Sequence, residues 1–387
     1  MLKSYNRLFV RKKLETVILL LLFCGWIGCK DQQDRLSENT LHFPISWSEI
    51  QEIQKKEELL SVEQWFDTLE VIKSPDVDRI LLVDNRIQRI ILTERYFIAL
   101  SDEALMACGR YDTTGFIYNK IGRGPGEYER LSDVVYDKSR EKLLVLTSYP
   151  NKILTLDMEG NFVSSYTLPY LIDWDRLYIF RNQLYLLGSD YNQKTGINLD
   201  VIARYDGTHL AEQSVITRRL LYGTEAKYWT LGESQDHLVV GIDERDSLFR
   251  ITEDLTVTPI HLDFAFQKEL PQDRIAGQYF YWMNGNRMLF VRYMPNGVFY
   301  NFGHRFRYDC STSRLDVSIG KWFGTDVGSD KENIYCCISP LQQKIVEHAW
   351  KAMSPATRKF YEPLRKVLAE LDENDNPFLL RYHIKKE

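Results

Sequence analysis

Residues 121–128 read Ile121-Gly122-Arg123-Gly124-Pro125-Gly126-Glu127-Tyr128. Glycine tolerates positive φ and proline holds φ at about −65°, so alternating glycines around one proline indicate a loop of fixed shape. Strand-like runs flank the loop at 115–120 and 131–137. The stretch therefore predicts a rigid loop between two β-strands, which presents Arg123, Glu127 and Tyr128 as candidate ligand-binding residues. The alternative is that it only makes a turn.

A hairpin unit recurs through the middle of the chain. In each copy an apolar strand ends in a polar turn that contains an aspartate, and a second strand follows. These aspartates are Asp112, Asp157, Asp206, Asp254 and Asp309. Their spacings of 45, 49, 48 and 55 residues match the length of four-stranded propeller blades. Aspartate accepts hydrogen bonds from turn amides, so we predict a structural role for all five carboxylates.

The two ends of the body complete the predicted ring. A closed propeller builds its last blade from both termini, which removes exposed sheet edges. Residues 377–384 read as the closing strand, and its partner is expected in the region from Trp65 to Ile72. The predicted fold class is thus an all-β propeller.

A helical segment interrupts the strand pattern before the closing strand. Ser354 and Pro355 suit the N-cap and first position of a helix, and Leu341 to Met353 predicts a helix before it. Apolar residues then follow at helical spacing, namely Phe360, Leu364, Val367, Leu368 and Leu371. We predict a helical insertion at about 341–372 that packs on the propeller.

The amino terminus has the features of an export signal. Five basic residues precede an apolar run from Val17 to Phe23, which is too short to span a bilayer comfortably. Gly28-Cys29 resembles a bacterial lipobox, although Trp26 departs from the usual leucine. The predicted organisation is a lipoprotein signal peptide at 1–28, a polar tether at 29–60 and the propeller at 61–387, with lipid on Cys29.

Charge and cysteine usage exclude some classes of function. The net charge is −5, and the first 28 residues contribute +4, so the remainder carries −9. A basic surface is required for nonspecific nucleic-acid binding, so no nucleic-acid partner is predicted. Cys108, Cys310, Cys336 and Cys337 could pair in an envelope protein. The adjacent Cys336 and Cys337 are expected on opposite faces of a strand.

A family resemblance rests on two motifs. Gly122 to Tyr128, followed by Leu131-Ser132-Asp133-Val134, closely resembles the signature of six-bladed β-propeller lipoproteins of Bacteroidetes. Asn374 to Leu379 resembles the carboxy-terminal motif of the same family. The resemblance implies a six-bladed, NHL-like propeller on a lipid-anchored envelope protein, and it implies little about activity.

No catalytic motif accompanies these features. The sequence has no Gly-x-Ser-x-Gly elbow, no His-Glu-x-x-His pair and no phosphate loop, so no cofactor, metal or catalytic residue is predicted. His261 and His304 are the histidines that could converge near the axis and hold a metal. The aromatic candidates for carbohydrate or peptide contact are Tyr149, Trp174, Tyr191, Trp229, Tyr281 and Trp282.

The sequence therefore predicts a non-enzymatic binding protein, anchored in the outer membrane through Cys29 and facing the periplasm or the cell surface. The expected partners are outer-membrane proteins or an extracellular glycan or peptide. Two alternatives stay open. One is a propeller hydrolase or lyase with an axial metal, and the other is a scaffold of an outer-membrane complex.

Overall fold

The computed structural model describes most of the body of the chain. The described residues are 40–43, 62–64, 66–73, 88–101, 104–109, 115–169, 172–192, 196–220, 229–233, 236–242, 247–264, 283–284, 288–293, 304–309, 314–320, 323–329, 332–372, 375 and 377–385. The predicted signal peptide and Cys29 lie outside these residues.

The described strands form six sheets, and the first three follow one another along the chain. Blade 1 consists of β3 (Arg89–Leu92), β4 (Tyr96–Leu100), β5 (Leu105–Gly109) and β6 (Gly115–Tyr118). Blade 2 consists of β7 (Arg130–Asp137), β8 (Lys142–Ser148), β9 (Lys152–Leu156) and β10 (Phe162–Thr167). Blade 3 consists of β11 (Ile172–Phe180), β12 (Gln183–Asn192), β13 (Ile197–Tyr205) and β14 (Leu210–Leu220).

The remaining sheets complete the series. Blade 4 consists of β15 (Trp229–Glu233), β16 (His237–Ile242), β17 (Ser247–Thr252) and β18 (Val257–Phe264). Blade 5 consists of β19 (Met283–Asn284), β20 (Met288–Tyr293), β21 (His304–Asp309) and β22 (Arg314–Gly320). Blade 6 consists of β23 (Thr325–Ser329), β24 (Asn333–Ile338), β25 (Phe378–Ile384) and β2 (Phe66–Ile72).

The sheets have a propeller arrangement, which confirms the predicted fold class. Within the four strands just given for each blade, neighbours are antiparallel. The first strands form a series of contacts in the order β23, β3, β7, β11, β15 and β19. The first strands therefore lie nearest the axis, and the fourth strands lie outside.

Alternation along the strands builds the core between blades. On β8, Leu143 and Val145 pack in the cluster that faces blade 1, while Leu144 and Leu146 pack in the cluster that faces blade 3. Successive side chains on a strand point to opposite faces, so a central strand with a blade on each side is apolar at every position. This explains why all of β8 after Lys142 is buried.

The two ends of the body meet in blade 6, as the sequence predicts. β25 lies between β24 and the amino-terminal strand β2. The register pairs Leu69 with Tyr382 and Ile72 with Leu379 in antiparallel fashion. The hydroxyl of Tyr382 also donates to the carbonyl of Phe323 at 3.0 Å. The closing strand is thus a buried strand in the interior of the sheet, with a neighbour on each side.

The helical insertion is also confirmed. It contains α1 (Gln343–Ala352) and α2 (Pro355–Glu370), and the Ser354 side chain caps α2 by accepting from the amide of Thr357 at 3.1 Å. The apolar residues of α2 pack against blade 6, with Tyr361, Leu364 and Leu368 fully buried. Short 3-10 helices lie at Val62–Gln64 and Pro340–Gln342.

The structure describes the turns that contain three of the five repeat aspartates. Each of these turns lies between the third and fourth strand of its blade. Asp157 accepts from the amides of Glu159 and Asn161, and Asp206 accepts from those of Thr208 and His209. Asp254 accepts from the amide of Thr256. These contacts confirm the structural role of the three carboxylates. Asp112 and the turn after Asp309 lie outside the described residues.

Part of the expected tether forms a strand. β1 (Thr40–Phe43) pairs in parallel with β18 and adds a fifth strand to the outer edge of blade 4. The sequence pattern did not predict this strand, which is four residues long. No helix in the described part of the chain is long and apolar enough to cross a membrane.

Two of the described cysteines, Cys108 and Cys337, are free thiols. Cys108, Cys336 and Cys337 form no disulfide, and Cys310 lies outside the described residues. Cys336 packs in the cluster of blade 6 and the helices, whereas Cys337 packs in the cluster shared with blade 1. The two neighbours therefore occupy opposite faces of β24, as predicted. Burial raises the pKa of Cys337 to about 12, which keeps its thiol protonated.

Candidate functional site

The loop at 121–128, here called the signature loop, joins the outer strand of blade 1 to the inner strand of blade 2. It folds back on itself through backbone hydrogen bonds. The amide of Gly122 donates to the carbonyl of Tyr128 at 2.9 Å, and the amide of Tyr128 donates to the carbonyl of Lys120 at 3.0 Å. At the tip, the amide of Glu127 donates to the carbonyl of Gly124 at 3.1 Å. Backbone hydrogen bonds therefore hold the loop in its folded-back shape without a contribution from side chains.

The Glu127 carboxylate completes the inside of the loop. Its Oε2 accepts from the amide of Gly124 at 2.7 Å. A β-carbon added at Gly122 would lie 2.2 Å from the same Oε2, so only a glycine leaves room for the carboxylate there. Gly122 also has a φ of +155°, whereas Gly124 has no positive φ. The positive φ among the glycines of this loop thus belongs to Gly122.

Lys152 supports the loop from the neighbouring strand β9. Its side chain is buried, and its ammonium donates to the carbonyl of Gly124 at 2.6 Å and to that of Glu127 at 2.9 Å. Burial lowers the pKa of Lys152, and the charge of Glu127 acts in the opposite direction. Nothing in the local sequence marks this lysine as a loop contact, because 25 residues or more separate it from its acceptors.

Two tyrosines fix the loop to the core. The hydroxyl of Tyr118 donates to the carbonyl of Gly126, and the hydroxyl of Tyr128 donates to the carbonyl of Tyr118. Their rings stack with centroids 6.1 Å apart. Tyr128 is 0% exposed, so its contacts are with the core between blades 1 and 2. This corrects the expectation that Tyr128 faces a ligand.

Arg123 and Glu127 differ in their surroundings. Glu127 satisfies a backbone amide of its own loop, whereas the Arg123 side chain is 82% exposed. Arg123 Nε donates to Glu129 Oε1 at 2.6 Å, and the amide of Glu129 donates to the carbonyl of Tyr149 at 3.1 Å. Tyr149 is 66% exposed. Arg123 and Tyr149 therefore both contact Glu129 on the exposed, outer side of the loop. The inner side of the loop is the side that is hydrogen-bonded to Lys152 and Tyr118.

The other aromatic candidates do not join this surface. Trp174 is buried between blades 2 and 3. Tyr191 and Trp229 lie on strands, but their side chains are outside the described part of the structure, as are Tyr281 and Trp282.

The histidine candidates for an axial metal do not lie on inner strands. His261 is on the outer strand of blade 4 and exposed, and His304 is on the third strand of blade 5. This corrects the expectation that the two converge near the axis. Among the described residues, no group of three or more histidine, cysteine or acidic side chains is placed to hold a metal ion.

Comparison with known proteins places these features in a family. The model of a family described as a domain of unknown function, DUF4934, matches residues 48–383. The chain belongs to the DUF4934 family. The match includes the signature loop, the helical insertion and all but the last residue of the closing strand, so it reaches strands of all six sheets of this DUF4934 protein.

One solved structure shares the fold of this DUF4934 protein, and a second is reported beside it. A protein from Bacteroides fragilis, described as a presumed exported protein, is 15% identical with a TM-score of 0.58, over 90% of this chain and all of that chain. A protein of unknown function from Bacteroides caccae is 9% identical with a TM-score of 0.41, over 63% of this chain and 83% of that one. At 15% identity, the likeness to the Bacteroides fragilis protein concerns the fold alone. No curated protein matches the sequence.

Proposed function

We propose that this DUF4934 protein is a lipid-anchored protein of the cell envelope that binds a ligand or partner and catalyses no reaction. The observation that carries the proposal is the difference between the two sides of the signature loop. Its inner side is bonded to Lys152 and Tyr118, while Arg123 and Tyr149 are exposed on its outer side. A surface that is already ordered loses little conformational entropy when it binds.

The chemistry of this surface suits an extended ligand. The Arg123 side chain is 82% exposed and Tyr149 is 66% exposed, so both lie on the protein surface. Tyrosine offers an apolar ring and a hydroxyl, and arginine offers several donors in a planar group. A peptide, a glycan chain or the surface of an outer-membrane protein can use both groups together.

The anchoring part of the proposal rests on the amino-terminal sequence and on the exported relative. Lipid on Cys29 would place the protein in the outer membrane, because several acyl chains hold a protein firmly. We expect Cys29→Ala to release the body into the soluble fraction or to leave an uncleaved precursor. The test separates cells into membrane and soluble fractions and determines the mass of the protein in each. A Cys29→Ala variant with normal size and normal membrane partition contradicts the lipid anchor.

The binding part is tested by crosslinking in intact cells. A photoreactive phenylalanine analogue replaces Tyr149 in the full chain, and the same analogue at Val215, another half-exposed residue on β14, is the control. We expect a discrete crosslinked species from position 149 only, and we expect Arg123→Ala to reduce it. Equal crosslinking from both positions, or none from position 149, overturns the proposal. Melting temperatures of the variants should stay at that of the parent.

A further inference from the structure

A cavity of about 840 Å³ lies between blades 2 and 3 and is here called the blade 2–3 groove. The turn after β7 and the turn after β13 border it, through Asp137, Arg140 and residues 206–208. β7 starts at the signature loop and ends at Asp137, so the groove opens on the opposite face of the propeller from that loop. Its volume falls within the range of about 300–1,000 Å³ that small-molecule sites occupy.

The groove has an apolar floor and a wall of neutral polar groups. Leu144 from blade 2 and Leu184 from blade 3 are buried beneath it. Above them, Thr155 and Ser164 lie opposite each other on neighbouring strands of blade 2. Asn182 borders the groove from the first turn of blade 3. Hydroxyl and amide groups both donate and accept hydrogen bonds, so this wall is matched to ligand hydroxyls.

Two tyrosine rings line the groove. Tyr166 of blade 2 and Tyr205 of blade 3 have ring centroids 4.9 Å apart and planes inclined by 43°. The hydroxyl of Tyr205 donates to the carbonyl of Gly207 at 2.7 Å, which holds that ring in place. Aromatic faces give apolar contact area to the C–H face of a ring-shaped ligand.

The charges at the groove favour an anion. Asp137 and Asp206 both border it, but each accepts three hydrogen bonds from backbone and hydroxyl groups of its own turn. Arg140 Nε lies 3.7 Å from Asp137 Oδ2. Asp157, whose charge couples to Lys142, is likewise bonded within its own turn. Among the described side chains, none forms an ion pair with the half-buried Lys142.

We propose that the blade 2–3 groove binds a small acidic sugar of one or two rings. The carboxylate of the sugar pairs with Lys142 and lies within reach of Arg140. The sugar hydroxyls bond to Thr155, Ser164 and Asn182, and the sugar ring packs on the tyrosine pair and the leucine floor. This site is separate from the signature loop, and the proposal does not depend on the loop binding anything.

The test is calorimetric titration of the full-length protein in detergent with D-glucuronate, D-galacturonate and digalacturonate. We expect at least one of them to bind, and we expect Lys142→Met to weaken that binding at least tenfold. Lys138→Met is the matched control, because Lys138 is an exposed lysine of the adjacent turn that pairs with Glu94 outside the groove. Binding to the control should equal binding to the parent.

A second variant separates loss of the site from loss of the fold. Lys142→Gln keeps a polar side chain that is one atom shorter and removes the charge, so it should fold with the parent melting temperature and still lose binding at least tenfold. Equal affinity for glucose overturns the proposal, because the cation then contributes nothing. Unchanged affinity in both Lys142 variants, or no binding of any of the three acids at millimolar concentration, also overturns it. Arg123→Ala should leave these titrations unchanged.

Discussion

Arg89 Nη1 lies 2.6 Å from Oδ2 and 2.8 Å from Oδ1 of Asp133, a fully buried carboxylate on the inner strand of the next blade. The same carboxylate accepts from the amide of Leu177 on the inner strand of blade 3 at 2.7 Å. Arg176 from blade 3 approaches it to 3.8 Å. One acidic side chain thus joins three blades next to the axis.

Removing Arg89 should destabilise the ring. Arg89→Ala leaves Asp133 buried with one fewer cation, and breaking a buried pair in this way costs about 3 kcal/mol, the low end of the usual range, because Arg89 is partly exposed. The measurement is the free energy of unfolding in denaturant. Arg95→Ala is the control, since its exposed pair with Glu159 should contribute less than about 1 kcal/mol. Equal costs for the two variants would contradict the buried link.

The support of the signature loop by Lys152 is a second testable contact. Lys152→Met keeps the apolar stem but removes the donor to the carbonyls of Gly124 and Glu127. We expect a loss of about 1–3 kcal/mol, the cost of a charge-assisted hydrogen bond. Amide hydrogen exchange of residues 122–128 should speed up in the same variant. Stability within error of the parent would show that the loop closes without the lysine.

The glycines of the loop should differ in their tolerance of a side chain. Gly122→Ala places a β-carbon 2.2 Å from Glu127 Oε2, so the carboxylate must move and lose its bond to Gly124; the cost should be about 1–3 kcal/mol. In a Glu127→Ala background the same change should cost less, because the clash is gone. A double-mutant cycle of melting temperatures measures this coupling. Strict additivity would contradict it.

The closing strand should be required for cooperative unfolding. Deletion of residues 377–387 removes the strand between β2 and β24 and exposes the edges of both. Exposed edges pair with other chains, so we expect aggregation and a broad thermal transition. Deletion of 386–387 alone is the control, because those residues follow the strand. A monomeric deletion variant with the parent melting temperature would rule out this closure.

The turn aspartates should make stability depend on pH in the acid range. Hydrogen bonds from His209 and Thr208 lower the pKa of Asp206 to about 2, from an ordinary value of 3.8. A carboxylate with a lowered pKa stabilises the fold above its unfolded pKa, and this contribution is lost as the pH falls through 4 towards 2. The stability difference between the parent and Asp206→Asn should therefore shrink across that interval. A difference that stays constant from pH 7 to pH 2 would contradict the assignment.

Much of the fold follows from local pattern. The spacing of the aspartates and the alternation of apolar residues predict the blades, and Ser354 with Pro355 predicts where α2 begins. The candidate site was predicted less completely. Arg123 is exposed, as a binding residue should be, whereas Glu127 forms a hydrogen bond within the loop and Tyr128 is buried. Tyr149 lies beside the loop because its carbonyl accepts a hydrogen bond from the amide of Glu129.

The sequence by itself determined the features that depend on neighbours along the chain. Strand alternation, turn residues and helix capping involve residues a few positions apart, so these features can be recognised from the order of residues along the chain. Tertiary structure alone decided which distant groups meet. Asp133 lies 44 residues from both Arg89 and Leu177, and Lys152 lies 28 residues from Gly124. A buried charge takes whichever partners the packed blades place within hydrogen-bond distance, and that placement has no local signature in the sequence.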